Sequence, residues 1–143
     1  MPHLFEDPKY NVIITKHFDV HQDWEIPIPG FFIIATKDRS QNSIAEFSDE
    51  KANEFIRVLK KLREGMKEVL KIEKVRLWQN EDSKYNFHVW VFPRHQWMDE
   101  HGKFMKSLPG IVEYAKKNMV NDKVFKEVEE YAAKMKEYMK EFK

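Results

Sequence analysis

The chain has 143 residues, the length of one ordinary domain and enough to bury a core of its own. Its 25 basic and 24 acidic side chains nearly cancel to a net charge of +1, so no strong field favours nucleic acid or an acidic membrane, and phosphate binding must be local. There is no cysteine, which excludes disulfides and thiolate metal sites.

The opening MPHLFEDPKY lacks a basic segment followed by an apolar run, and no stretch approaches membrane-spanning length, so the expectation is a soluble cytoplasmic protein. NVIITKHFDV carries β-branched residues in mixed alternation and predicts one or two early strands. In WEIPIPGFFIIAT, Pro27, Pro29 and Gly30 precede a strong apolar run, which predicts a turn feeding a buried strand from Phe31 to Thr36. The polar TKDRSQNSIAEF then reads as a loop. Ser48 caps the clearest helix, where Phe55, Leu59, Leu62, Met66 and Val69 recur at steps of three and four. KVRLWQN is a short strand, NEDSKY a polar loop, and residues 86–92 the next strand. A turn is expected around Pro109 and Gly110, then helices over about 111–119 and 123–142. The last helix carries Val124, Val128, Tyr131, Met135, Tyr138, Met139 and Phe142 at helical spacing, which suits packing on its own domain or on a partner subunit. Strands with one long central helix and helices at the end predict an α+β domain on an antiparallel sheet. No repeat or linker interrupts it, so residues 1–143 read as one domain, with a helical extension over about 109–143.

The chemically informative stretch is YNFHVWVFPRHQW, residues 85–97. Alternation across a strand puts Phe87, Val89 and Val91 on one face and Asn86, His88, Trp90 and Phe92 on the other. The first row is core. The second places a histidine among aromatics, with Asn80, Ser83 and Asn86 upstream to exchange hydrogen bonds and Arg94 downstream, past a strand-ending proline, to meet phosphate. A neutral imidazole on a rigid strand, with one nitrogen fixed by a carbonyl, is a good nucleophile toward phosphorus.

NFHVWVFPR resembles the signature of the histidine triad superfamily, three histidines alternating with apolar residues and often running into Pro-Arg. Asn86 stands at the first histidine position, His88 at the second and Trp90 at the third. PGFFIIATKDR is similar to the family's Pro-Gly-His strand, with Phe31 in the histidine position. The similarity covers roughly residues 20–97. It implies an antiparallel sheet with one central helix, and attack by His88 on the α-phosphorus of a nucleotide such as a diadenosine polyphosphate. It also implies ribose binding by Asp23, phosphate contacts from Ser83 and Asn80, and a homodimer. No cofactor or metal is implied.

Trp90 cannot replace the third histidine, because an indole N–H donates a hydrogen bond without releasing its proton at neutral pH. The resemblance therefore leaves two readings. One is a hydrolase or nucleotidyl transferase preferring leaving groups that need little protonation. The other is a catalytically impaired nucleotide-binding or sensing module, in which Trp90 and Phe92 stack on a base or fill the space of imidazoles. A third class is an interaction protein with an apolar, dimeric sheet face, to which Trp78, Trp90 and Trp97 would contribute. Among the other histidines, His17 and His21 lack a third metal ligand nearby, and His95 and His101 are candidates for the missing proton source. Lys37 and Arg39 read as solvated loop charges able to draw in phosphate, and KKLREGMKEVLKIEK as the solvated side of the main helix.

Overall fold

In the computed structural model, residues 7–143 are described. Residues 1–6, part of the amino-terminal stretch read above for a leader, lie outside them. The β-branched run forms β1 (Asn11–Ile14), and after a short turn β2 (Phe18–Gln22) folds back against it. The Pro-Gly turn then works as its residues dictate. Gly30 sits at φ +82°, a left-handed conformation that side chains disfavour, and a Cβ there would lie 2.6 Å from Ile72 Cδ1. The chain emerges into β3 (Phe32–Thr36). Ser48 caps α1 (Asp49–Val69) by accepting from Lys51 N–H, with Asp49 and Glu50 in the first turn where the helix dipole favours them.

β4 (Val75–Trp78) and β5 (His88–Pro93) complete one antiparallel sheet in the order β1-β2-β3-β5-β4. α2 (Leu108–Asn118) and α3 (Asp122–Met139) follow. The turn expected at Pro109 and Gly110 is instead the first turn of α2. Proline is tolerated there because its missing N–H has no helical partner to lose. Short 3-10 turns at Gln96–His101 and Met105–Ser107 occupy the connection before it. Among the described residues, no helix is long and apolar enough to cross a membrane.

The sheet is buried on both faces. On one, Val20, Phe32, Ile34, Phe87, Val89 and Val91 pack with Phe55, Val58, Leu62 and Met66 of α1, and Met135 and Met139 of α3 join them. On the other, Phe31, Ile33 and Phe92 form a second apolar cluster with Met98 and with Leu108, Ile111 and Ala115 of α2. The alternation read from residues 85–97 thus divides correctly between two cores.

Glu54 pins the hairpin to α1. Its carboxylate accepts from Thr15 Oγ1 at 2.6 Å and His17 N–H at 2.8 Å, and meets His17 Nδ1 at 2.8 Å. Burial alone would raise its pKa, yet these bonds hold the carboxyl below its usual value.

α3 lies against α1 at Gly65, where an added Cβ would fall 2.5 Å from Tyr138 Cδ1 and 2.7 Å from Met135 Cε. Gly65→Leu should therefore cost about 1–3 kcal/mol by overpacking. Urea denaturation would show this as a lower midpoint at unchanged slope, and an unmoved midpoint would contradict the close approach.

Candidate functional site

His88 opens β5 opposite Ala35 of β3, and Asp19 of β2 stands opposite Ala35 on its other side. Directly paired residues share a face, so Asp19, Ala35 and His88 form a row across three strands. Alanine in the middle leaves the row low at its centre. The next row along is His21, Ile33, Trp90 and Trp78, and beyond it Arg76 pairs with Phe92.

His88 is held from behind. Its Nδ1 lies 2.9 Å from the Asn86 carbonyl, and a carbonyl can only accept, so Nδ1 carries the proton. In the neutral ring, Nε2 then keeps its lone pair. The Tyr85 ring meets the imidazole edge-on at 6.1 Å between centroids. Asn86 is itself fixed, its amide donating to the Thr36 carbonyl at 2.7 Å. This bond ties the approach to β5 onto the end of β3, where the backbone N–H of Phe87 also donates to Gln41 O. Asn80 and Ser83 lie exposed on the loop that leads into His88, with Ser83 Oγ accepting from Tyr85 N–H at 3.2 Å. Lys37, at the same end of the sheet, directs its ammonium to the Thr15 carbonyl at 3.1 Å.

The triad positions beyond His88 are apolar in surroundings as well as in type. Trp90 packs edge-on to Phe31 at 4.9 Å, and Phe31 meets Phe92 at 4.8 Å. Phe31 and Phe92 are both fully buried. These rings fill the face under α2.

Other predicted residues are placed apart from His88. Asp23 follows β2, two strands from β5, and its Oδ2 accepts from the N–H groups of Glu25 at 3.0 Å and Ile26 at 2.7 Å. Burial holds its carboxyl above the usual range against the pull of those two bonds. Beside it the His21 ring, bonded through Nδ1 to Asp19 Oδ1 at 2.7 Å, stacks on Trp24 at 4.3 Å. Arg94 follows the far end of β5. Six residues at about 3.3 Å each carry its backbone about 20 Å from that of His88. There it pairs with Asp99. The geometry does not bring Arg94 to His88.

The candidate proton donors are also elsewhere. His95 Nε2 donates to the Pro29 carbonyl at 2.7 Å, and the His101 ring rests against Trp97 and Tyr114. What sequence reasoning missed is Tyr85 beside the imidazole, and the dyad of His21 and Asp19 on the face that carries His88. The two-residue step between Asp19 and His21 was the available signal.

No family profile matches this sequence, and no curated protein does. Solved structures do match. Plasmodium falciparum diadenosine triphosphate hydrolase, in complex with cyclomarin A, is 13% identical with a TM-score of 0.64, over 99% of this chain and 84% of that one. A zinc-bound histidine triad family protein from Mycobacterium smegmatis is 10% identical at a TM-score of 0.62, over 96% and 91%. A hypothetical histidine triad nucleotide-binding protein from Sulfolobus tokodaii is 15% identical at 0.60, over 92% and 85%.

This chain has the histidine triad fold. Within that fold, the sheet, α1 and the order of elements stand as the resemblance implied, while α2 joins the apolar cluster against which Trp90 packs.

Burial keeps the pKa of His95 below the ordinary 6.5, with the Pro29 carbonyl and Glu127 acting against it. As pH falls through about 6.5, the unfolded chain takes up a proton that folded His95 refuses. The stability of the neutral form is full above that pH and declines below it. Urea midpoints at pH 7.5 and 5.5 should therefore differ more for wild type than for His95→Gln. Equal differences would remove His95 as a source of acid sensitivity.

Proposed function

We propose that this chain binds a nucleotide on the His88 face of the sheet and cleaves it at the α-phosphate. The observation that carries this reading is the bond from His88 Nδ1 to the Asn86 carbonyl, which fixes the tautomer and leaves Nε2 nucleophilic. Nε2 attacks the α-phosphorus, forming an N–P bond as the bond from phosphorus to the bridging oxygen breaks. The remaining phosphate chain leaves with that electron pair. Water then attacks phosphorus, the N–P bond breaks, the mononucleotide departs and the proton of water passes to solvent. The Asn86 carbonyl steadies the imidazolium between the two steps.

With Trp90 in the third position, the leaving group must depart with little protonation. Loss of a positioned general acid typically costs about 10²–10⁴ in rate, so polyphosphate leaving groups suit this site better than amines or alkoxides. Dinucleoside polyphosphates are accordingly the substrate class, a reading supported by the diadenosine triphosphate hydrolase among the matching structures. Asn80 and Ser83 contact the phosphates from their loop, and Asp23 holds the ribose. A second reading, nucleotide binding without chemistry, draws on the aromatic packing of Phe31, Trp90 and Phe92 beneath α2.

Release of AMP from diadenosine tetraphosphate and from adenosine phosphoramidate tests the first reading. Wild type should prefer the tetraphosphate, and His88→Ala should fall by at least about 10³-fold. No turnover, with AMP still quenching tryptophan fluorescence in both proteins, would replace the enzyme by the binding module. No quenching would overturn both.

Asp23→Asn separates stability from binding. Asparagine keeps an acceptor for the Glu25 and Ile26 N–H groups while removing a charge that burial disfavours. Because its folded pKa is raised, ionised Asp23 lowers stability at neutral pH, and that cost vanishes below about pH 3.9. The variant should melt at an equal or higher temperature at pH 7 yet bind AMP more weakly. Unchanged affinity would remove Asp23 from the ribose site.

A further inference from the structure

The far end of the sheet from His88 carries a second concentration of chemistry. Lys74 and Arg76 on and before β4, Arg94 after β5, and Lys103 on the following loop line one open cleft of about 500 Å³ with Val75, Asp99, Phe104 and Met105. That volume lies within the range of small-molecule sites. Four cations face a single carboxylate in a chain whose charges otherwise almost cancel. Asp99 pairs with Arg94 and is also drawn on by Lys103 and Arg76, so one acid serves the four cations of the cleft.

Arg76 is the most telling of these residues. It lines the cleft half-buried, and its inner Nη1, shielded from solvent, has no hydrogen-bond acceptor among the described residues. The guanidinium is thus held at the cleft without an acid or carbonyl to satisfy it there. The lip of the cleft is apolar and exposed. Phe104 is 76% exposed and held at φ +67°, outside the usual range for a bulky residue, with Met105 beside it. Such walls lower the local dielectric and strengthen the attraction of the cations for an anion.

We propose that this cleft is a second ligand site, built for a phosphate chain and separate from His88. Arg76 and Arg94 supply the planar donors that match phosphate oxygens in pairs, and Lys74 and Lys103 supply point charges along the chain. The separation follows from the sheet. Arg76 stands opposite Phe92, four residues along β5 from His88, or about 13 Å, and on the neighbouring strand.

Isothermal titration calorimetry at fixed ionic strength tests this, with inorganic tripolyphosphate as the probe and a hexaglutamate peptide as the control for charge alone. Tripolyphosphate should still bind His88→Ala, and in that background at least about 10-fold more weakly once Arg76→Gln/Lys103→Gln is added, since each lost charge-assisted contact is worth roughly tenfold. Should the double variant fail to fold, Lys103→Glu, on an exposed residue, should weaken binding by itself. Absence of binding to wild type, equal affinity in folded cleft variants, or hexaglutamate binding as tightly as tripolyphosphate would each overturn the proposal. Loss of AMP release in His88→Ala with tripolyphosphate binding intact separates this site from the one at His88.

Discussion

Burial of β5 on both faces is the constraint from which the rest follows. An antiparallel sheet commonly leaves one face to water, and its strands then alternate between apolar and polar residues. Here β5 sits between β3 and β4, with α1 over Phe87, Val89 and Val91 and with α2 over Trp90 and Phe92. Both rows must be largely apolar. The polar exception, His88, is found where the strand begins, half-buried and beside the loop carrying Asn80 and Ser83. Confining the histidine to the strand end reconciles a polar imidazole with a sheet packed on two sides.

The same constraint suits the residues beside His88 on its face. Trp90 sits among Phe31, Phe92 and Trp78, apolar rings that would disfavour a charged side chain by desolvation, and it contributes to the second core. Asn86 has a structural task, joining the entry of β5 to the end of β3 through Thr36. The His88 ring is therefore oriented by two successive contacts, Asn86 to Thr36 and His88 to Asn86, each made to a backbone carbonyl. Backbone acceptors on a sheet move little, so the imidazole is preorganised.

Charge is distributed by the same logic. Ionised groups stand at strand ends and loops or are tied into local contacts, as Glu54 is by Thr15 and His17 and buried Lys51 is by Gln41 and the rings of Phe18 and Phe47. At the far end of β5 the displaced cations from β4, β5 and the loop after it converge on one cleft. Near neutrality of the whole chain conceals this, because the acids that balance those cations lie elsewhere on the surface.

Sequence by itself determined the features that rest on local periodicity. The three- and four-residue steps of Phe55, Leu62 and Met66 fixed α1, and the alternation over residues 85–97 fixed which side chains share a face. The start of α2 was misread at Pro109 because proline breaks a helix interior but suits a first turn, and sequence alone does not say which position it holds. Only tertiary structure decided what lies across a strand or over a face. Asp19 reaches the row of His88, Arg94 is carried away from it, and Arg76 joins Arg94. α2 settles into the apolar cluster that Trp90 and Phe92 join. The reason is physical: intrinsic pattern acts over a few residues, whereas pairing register, turn geometry and burial on the second face join residues tens of positions apart.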